Sequence, residues 1–103
     1  MSIYIEALLV MFPPDAGGRT APVAPREGSY RPFTRLDGQL SRARLFEGPP
    51  LLAPGDAARV MLELESDAAA MIRDGAELQL FEHDERVVGA LTVLRVCGRS
   101  SQI

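Results

Sequence analysis

Arginine is the residue type through which this chain could bind a charged partner. The sequence contains no lysine, so all eleven basic side chains are guanidinium groups, which can contact carboxylates and phosphates in a bidentate manner. Six arginines against two acids give residues 19–44 a net charge of +4, whereas ten acids against two arginines give residues 47–85 a net charge of −8. The basic segment supplies the candidate residues for binding RNA or another partner: Arg19, Arg26, Tyr30, Arg31, Arg35, Arg42 and Arg44.

Two observations weigh against an RNA site in this segment. The whole chain carries a net charge of −3, and binding to phosphates requires a concentrated basic surface. Arginines on the outside of a domain more often pair with nearby acids, at about 0–1 kcal/mol each. Protein binding is therefore the first expectation, and RNA binding through the arginines is the alternative.

The residues best suited to catalysis do not form a recognisable site. Cys97 lies in the apolar run LTVLRVCG, where we expect a buried and inert thiol. His83 is the only histidine, and its neighbours Asp84 and Glu85 lie in the same short turn, where side chains rarely converge on one metal ion. A GxxxxGK[ST] loop requires lysine, so this chain is expected not to bind GTP. We expect a non-enzymatic protein with no metal site and no cofactor.

The first residues, MSIYIEALLVMF, are apolar enough to suggest a targeting segment. They contain Glu6, begin without a basic region and fall short of the ~20 apolar residues that span a membrane. We interpret them as a strand. A single cysteine is typical of a reducing compartment, so a cytoplasmic location without membrane contact is expected.

Alternation of apolar and polar residues predicts an all-β fold. Residues 57–65 show the clearest period of two, with Ala58, Val60, Leu62 and Leu64 on one face, as in a half-buried strand. Similar patterns predict strands at 38–46 and 76–82, and a further strand at 30–36 is closed by Asp37-Gly38, a hairpin signal. Residues 3–12 and 87–97 are apolar on both faces, which is typical of central or covered strands.

Six short strands separated by turn residues predict a closed barrel or a sandwich, and the barrel is favoured because closure removes exposed strand edges. Long connections at 13–29, 47–56 and 65–75 favour a six-stranded antiparallel Greek-key barrel. Residues 66–75 have a helical composition but leave room for two turns at most, so we expect a crossing loop or a short turn of helix. The predicted domain spans residues 1–97, followed by a disordered tail at 98–103.

The order of short motifs along the chain resembles that of a known domain. After the opening strand come GGRTAP at 17–22, YRP at 30–32 before an arginine-containing strand, PGD at 54–56 and RVVG at 86–89. In this order and at these intervals, residues 3–96 resemble the C-terminal β-barrel, domain III, of elongation factor Tu. The resemblance implies a stand-alone, translation-related binding module with no catalytic residues, since in that family the barrel contacts other domains and the T arm of aminoacyl-tRNA.

One departure from the family concerns the turn before the last strand. Where the family has a turn of the Arg-Glu-Gly-Gly type near the RNA backbone, residues 82–85 read Glu-His-Asp-Glu, and these acids repel phosphate. The family also covers part of the outside of its barrel with neighbouring domains, which we expect to be absent here. We therefore expect protein binding or a homodimer, with Leu91 and Val93 as outward-facing residues of the interface, and tRNA or rRNA binding as the alternative.

Overall fold

The computed structural model, which describes residues 2–36, 38–65, 72–82 and 86–100, confirms the all-β prediction. Six antiparallel strands close into one barrel in the order β1-β4-β3-β2-β5-β6. Their bounds are β1 Ser2–Met11, β2 Phe33–Leu36, β3 Gln39–Glu47, β4 Ala57–Glu65, β5 Glu77–Phe81 and β6 Val87–Ser100.

The topology is a Greek key closed by the first and last strands. Strands β2, β3 and β4 are consecutive neighbours, and β1 lies beside β4 after the long connection that leads to β2, which is the Greek-key pattern. β1 pairs with β6 from Ser2 opposite Ser100 to Met11 opposite Gly89. Because the first strand completes the barrel with the last, the outer surfaces of these two strands form one continuous face.

Alternation along the strands fills the barrel with aliphatic side chains, as the sequence predicts. Val60, Leu62 and Leu64 of β4 are at most 1% exposed, and Ala43 and Leu45 of β3 pair with the latter two. β1 contributes four aliphatic residues and Met11 to the same core. Burial of this kind stabilises a fold by roughly 25 cal/mol per Å² of apolar surface.

The loop between β1 and β2 packs against the barrel. It contains two short 3₁₀ turns, Pro14–Ala16 and Pro25–Glu27. Between them Val23 exchanges backbone hydrogen bonds with Leu52 of the connection between β3 and β4, and both side chains are buried. The glycine- and proline-rich segment is thus part of the packed domain rather than a free linker.

Two turn motifs have the roles that their residues predict. Gly55 has a φ of +90°, and the PGD turn leads directly into β4 at Ala57. At Gly18 a Cβ atom would lie 1.9 Å from the carbonyl oxygen of Phe12, so only glycine allows the chain to pass this close to its own backbone.

β6 differs from the prediction because it is irregular. Its register against β1 shifts twice, so that Leu94 and Cys97 have no partner in the ladder, which is the signature of β-bulges. Leu91 and Val93, expected to face outward, are instead 2% and 1% exposed in the core. Cys97, expected to be buried, is exposed. The strand also continues to Ser100, three residues into the predicted tail.

Other boundaries shift modestly. β2 begins at Phe33, three residues later than predicted, because the preceding residues bond to β3 individually, through the carbonyl oxygens of Pro32 and Tyr30. The predicted helical or crossing stretch lies outside the described residues as far as position 71, and so do His83, Asp84 and Glu85. Among the described residues, no helix is long and apolar enough to cross a membrane.

Candidate interaction surfaces

The outer side of β2 and β3, together with the residues just before β2, carries four of the predicted arginines, which we call the arginine face: Arg31, Arg35, Arg42 and Arg44. The strand period places the last three there, because Thr34, Ser41 and Ala43 turn inward on the same strands. Arg31 lies two residues before β2 and lines a cavity with Arg42 and Arg44. Arg31, Arg35 and Arg42 are exposed and Arg44 is half-buried. Four of the seven predicted residues therefore lie on one side of the barrel.

Three of these arginines lie over phenylalanine rings, and two of the three, Arg35 and Arg42, belong to one strip of residues. The Arg35 guanidinium carbon is 5.2 Å from the ring centre of Phe81, and that of Arg42 is 5.6 Å from the ring centre of Phe33. Phe33 and Phe81 are themselves opposite each other on β2 and β5. The four side chains form a strip across three strands, in which cation–π contacts hold each guanidinium against a ring.

Arg44 is engaged differently from its neighbours. Its Nη2 donates to Oε1 of Glu63 on β4 at 3.2 Å, and its guanidinium carbon lies 5.5 Å from the ring centre of Phe46. By contrast, within the described residues Arg31, Arg35 and Arg42 have no carboxylate at ion-pair distance. Positive charge on this face is therefore concentrated at those three residues.

Arg19 and Tyr30 adjoin the arginine face, because Arg31 lines the same cavity as these two residues and Glu82. We call Arg19, Tyr30, Glu82 and Arg86 the Glu82 cluster. Glu82 Oε2 accepts hydrogen bonds from Arg19 Nη1 and from the Tyr30 hydroxyl, the latter at 3.0 Å. Its other oxygen accepts one from Arg86 Nη2 at 3.3 Å. The Arg19 guanidinium also lies over the Tyr30 ring, 5.0 Å from its centre.

Electrostatics in the Glu82 cluster favour the ion pair. Desolvation opposes ionisation of Glu82, but hydrogen bonds from Arg19 and Tyr30 outweigh it and hold the pKa of Glu82 below its usual range. Burial, reinforced by the nearby Glu82 carboxylate, raises the pKa of Tyr30 well above its ordinary value. Desolvation by burial lowers the pKa of Arg19, but Glu82 raises it by more, so the pKa of Arg19 lies above its ordinary value. Arg19, the first candidate arginine, is thus ion-paired with a carboxylate of the same chain.

Arg26 lies apart from both groups. Its Nε donates to the carbonyl oxygen of Gly48 at 2.7 Å, and it forms one wall of an open groove of about 700 Å³. We call this the arginine groove; the residues that line it are Glu6, Arg26, Glu47, Gly48, Arg59, Val60, Met61 and Arg95. The predicted binding residues therefore lie on the arginine face and the adjoining Glu82 cluster, with Arg26 at a separate place.

The first and last strands share an apolar patch outside the core. Leu8 and Val10 of β1 are 42% and 38% exposed, and Leu94 of β6 is 38% exposed. Thr92 and Ala90 of β6 lie opposite Leu8 and Val10, close enough for side chains to touch. We call this surface the β1–β6 face and define it by Leu8, Val10 and Leu94.

The residues that define two of these sites could not be identified from the sequence. The apolar character of both strands was visible, but the bulge that turns Leu94 outward leaves no compositional signal. Glu82 stood out only as one acid in a polar turn, and its partners Tyr30 and Arg19 are 52 and 63 residues away in the chain. Only closure of the barrel brings these three side chains together, so the cluster could not be predicted without the folded structure.

The described residues contain no group of histidine, cysteine and acidic side chains that could hold a metal ion. A scan against protein-family models and a search of curated proteins found no match. The resemblance to domain III of elongation factor Tu thus stays a prediction from ordered turn motifs, whereas the closed six-stranded barrel is established by the fold itself.

Proposed function

We propose that this protein is a non-enzymatic interaction module that self-associates through the β1–β6 face. The observation that carries the proposal is the clustering of Leu8, Val10 and Leu94 on two adjacent strands. Solitary exposed leucines are ordinary on protein surfaces, but grouped ones mark interaction sites. We therefore assign to these three residues the interface role that the sequence suggested for Leu91 and Val93.

The surroundings of the β1–β6 face suit contact between two identical copies. In an isologous interface the same patch meets itself across a two-fold axis, so its charged rim must contain both signs. Glu6 lies at the edge of the face with Arg95 at 3.0 Å and Arg59 at 3.8 Å, and Glu77 lies opposite Thr92 on the other side. This mixed rim can pair with its own copy without bringing like charges together.

The test is the mass of the purified protein by light scattering coupled to size exclusion, across a range of concentrations. We expect a dimer, and we expect Leu8→Asp to convert it to a monomer because a carboxylate cannot be buried unpaired at the centre of the interface. Leu51→Asp is the matched control, since Leu51 is 65% exposed and lies in a loop. A monomeric wild-type protein at every concentration, or a Leu8→Asp dimer, contradicts the proposal.

RNA binding through the arginine face is the second candidate. It is favoured by Arg31, Arg35 and Arg42, which have no ion-pair partner among the described residues, and by the aromatic rings of Phe33 and Phe81 beneath two of them. Guanidinium groups contact phosphates and stack on unpaired bases. The motif resemblance to domain III of elongation factor Tu supports the same ligand class and a translation-related role.

Bulk tRNA at several salt concentrations tests this candidate. The double substitution Arg31→Ala and Arg42→Ala should weaken binding and reduce the salt dependence by about one counterion for each phosphate that the variant no longer neutralises. Arg73→Ala serves as the control, because Arg73 is exposed and does not belong to the arginine face. Absent or salt-insensitive binding removes the candidate. For either function we propose a cytoplasmic location, which a lone unpaired cysteine suits.

A further inference from the structure

β4 is paired along its whole length on one side only. On that side it is in register with β1, from Ala57 opposite Val10 to Glu65 opposite Ser2. On its other side β3 pairs with β4 only from Met61 to Glu65. Within the described part of the chain, the β3 side of β4 from Ala57 to Val60 therefore has no ladder partner.

The gap arises because β3 leaves the sheet early. The last partner of β4 is Glu47, after which the chain turns at Gly48. A Cβ atom at Gly48 would be 3.0 Å from Val60 Cγ1 and 3.1 Å from Pro25 Cβ, so glycine lets the chain pass close to the barrel there. Backbone groups of alternate residues in an unpaired strand segment point to the open side.

The arginine groove lies over this same part of β4. Val60 and Met61 contribute to its lining, together with Arg26 and Glu47 from the side where β3 has ended. Its volume of about 700 Å³ is within the range of ordinary ligand pockets, and its open shape suits a segment of chain. The thioether of Met61 supplies an adaptable apolar contact.

The arginine groove is lined by more basic than acidic side chains. Three arginines face two glutamates, and Arg59 and Arg95 share the single carboxylate of Glu6. Both of these arginine side chains remain well exposed, at 70% and 65%. Arg26 bonds to a backbone carbonyl rather than to a carboxylate. The groove therefore presents excess positive charge beside an unpaired strand edge.

We propose that the arginine groove binds an extended, acidic segment of a partner protein, which adds as a short strand to the open edge of β4. Strand addition supplies main-chain hydrogen bonds, and alternate side chains of the added segment supply specificity. Carboxylates on the outer face of that segment reach Arg26 and Arg59, which lies on the same face of β4 as Met61, while small apolar side chains on its inner face lie beside Val60. This inference does not rest on self-association, although Glu6, Arg59 and Arg95 border both surfaces.

A synthetic hexapeptide, acetyl-(Glu-Val)₃-amide, is the probe, with acetyl-(Lys-Val)₃-amide as its charge-reversed counterpart. Amide chemical shifts of ¹⁵N-labelled protein are followed during titration, in the wild type and in Val10→Asp. The Val10→Asp background separates the two ideas, because Val10 belongs to the β1–β6 face but lies opposite Ala57 and Ala90 rather than opposite an arginine of the groove. We expect saturable shifts concentrated at residues 57–61 with the acidic peptide and none with the basic one.

Two variants locate the site. Arg26→Glu should weaken acidic-peptide binding roughly tenfold, since it places a like charge against the ligand. Arg31→Glu makes the same change of charge on the arginine face and should leave binding unaltered. Unperturbed spectra of the free variants show that each is folded. The proposal is overturned by absent shifts at β4, by equal binding of the two peptides, or by equal weakening in the two variants.

Discussion

Glu82 is a single residue that links three separate segments of the chain. Its two oxygens accept bonds from Arg19 in the first loop, Tyr30 before β2 and Arg86 before β6. The side chain is only 12% exposed and accepts hydrogen bonds from three donors, so removing its charge costs more than breaking a single exposed ion pair. The cluster thus anchors the long glycine-rich loop to the barrel. It also pairs Arg19, the first arginine that the sequence suggested as a ligand contact, with a carboxylate of the same chain.

Replacing this carboxylate with an amide should destabilise the protein measurably. We expect Glu82→Gln to lower the free energy of unfolding by about 1–3 kcal/mol at pH 7, measured by urea denaturation. Glu63→Gln is a matched control, because Glu63 is 13% exposed and its ion pair is with Arg44. Its cost should stay below about 1 kcal/mol. Equal destabilisation in the two variants would contradict a special role for Glu82.

The same substitution should change the response to acid. Desolvation raises the pKa of Glu82 in the folded protein, but hydrogen bonds from Arg19 and Tyr30 outweigh it, so the pKa is lower than its ordinary value. Ionised Glu82 therefore favours the folded state above the unfolded-state pKa of about 4.3, and this contribution disappears as the pH falls through the folded-state pKa. The stability difference between wild type and Glu82→Gln should be constant near neutrality and shrink below about pH 4. A difference independent of pH would place its origin outside this ionisation.

At the scale of elements, regular strands were predictable and the irregular one was not. β4 has the predicted bounds, and its apolar face is buried. When nine residues alternate between apolar and polar, a shift of one residue would turn every apolar side chain to solvent, so the orientation of the strand is fixed. β6 shifts register twice against β1, and a bulge reverses which residues face inward without altering composition. The bulge at Leu94 explains why Cys97 is exposed although it lies an even number of residues after the buried Leu91 and Val93. The outward placement of Leu91 and Val93 was wrong for another reason, since a strand that is apolar on both faces does not indicate which residues point inward.

The bulge at Leu94 gives a direct contrast between two leucines on one strand. Leu91→Ala should cost about 2–5 kcal/mol of unfolding free energy, since it opens a cavity at a residue that is 2% exposed. Leu94→Ala should cost less than about 1 kcal/mol in a monomer, because Leu94 is 38% exposed. Chemical denaturation in a Leu8→Asp background isolates the effect on folding from that on association. The reverse order would place the bulge elsewhere in the strand.

At the scale of the whole molecule, the pairing of the first strand with the last shapes both folding and function. Contacts such as Ser2 with Ser100 form only when the two strands farthest apart in sequence have been brought together, which is typical of slowly folding β proteins. The same closure places two strongly apolar strands side by side and creates the β1–β6 face. The sequence alone identified these two strands as apolar on both faces. Which of their side chains are exposed to solvent depends on the register and on the bulges.

If the β1–β6 face joins two copies, thermal stability must depend on protein concentration. Association stabilises only the folded state, so each tenfold increase in concentration adds about 1.4 kcal/mol per dimer once the dimer predominates. The Tm of the wild type should therefore rise steadily over a wide range of concentration in scanning calorimetry. Leu8→Asp should have a Tm that is independent of concentration, whereas Leu51→Asp should follow the wild type. A concentration-independent wild-type Tm, together with a monomeric mass, would contradict self-association through the β1–β6 face.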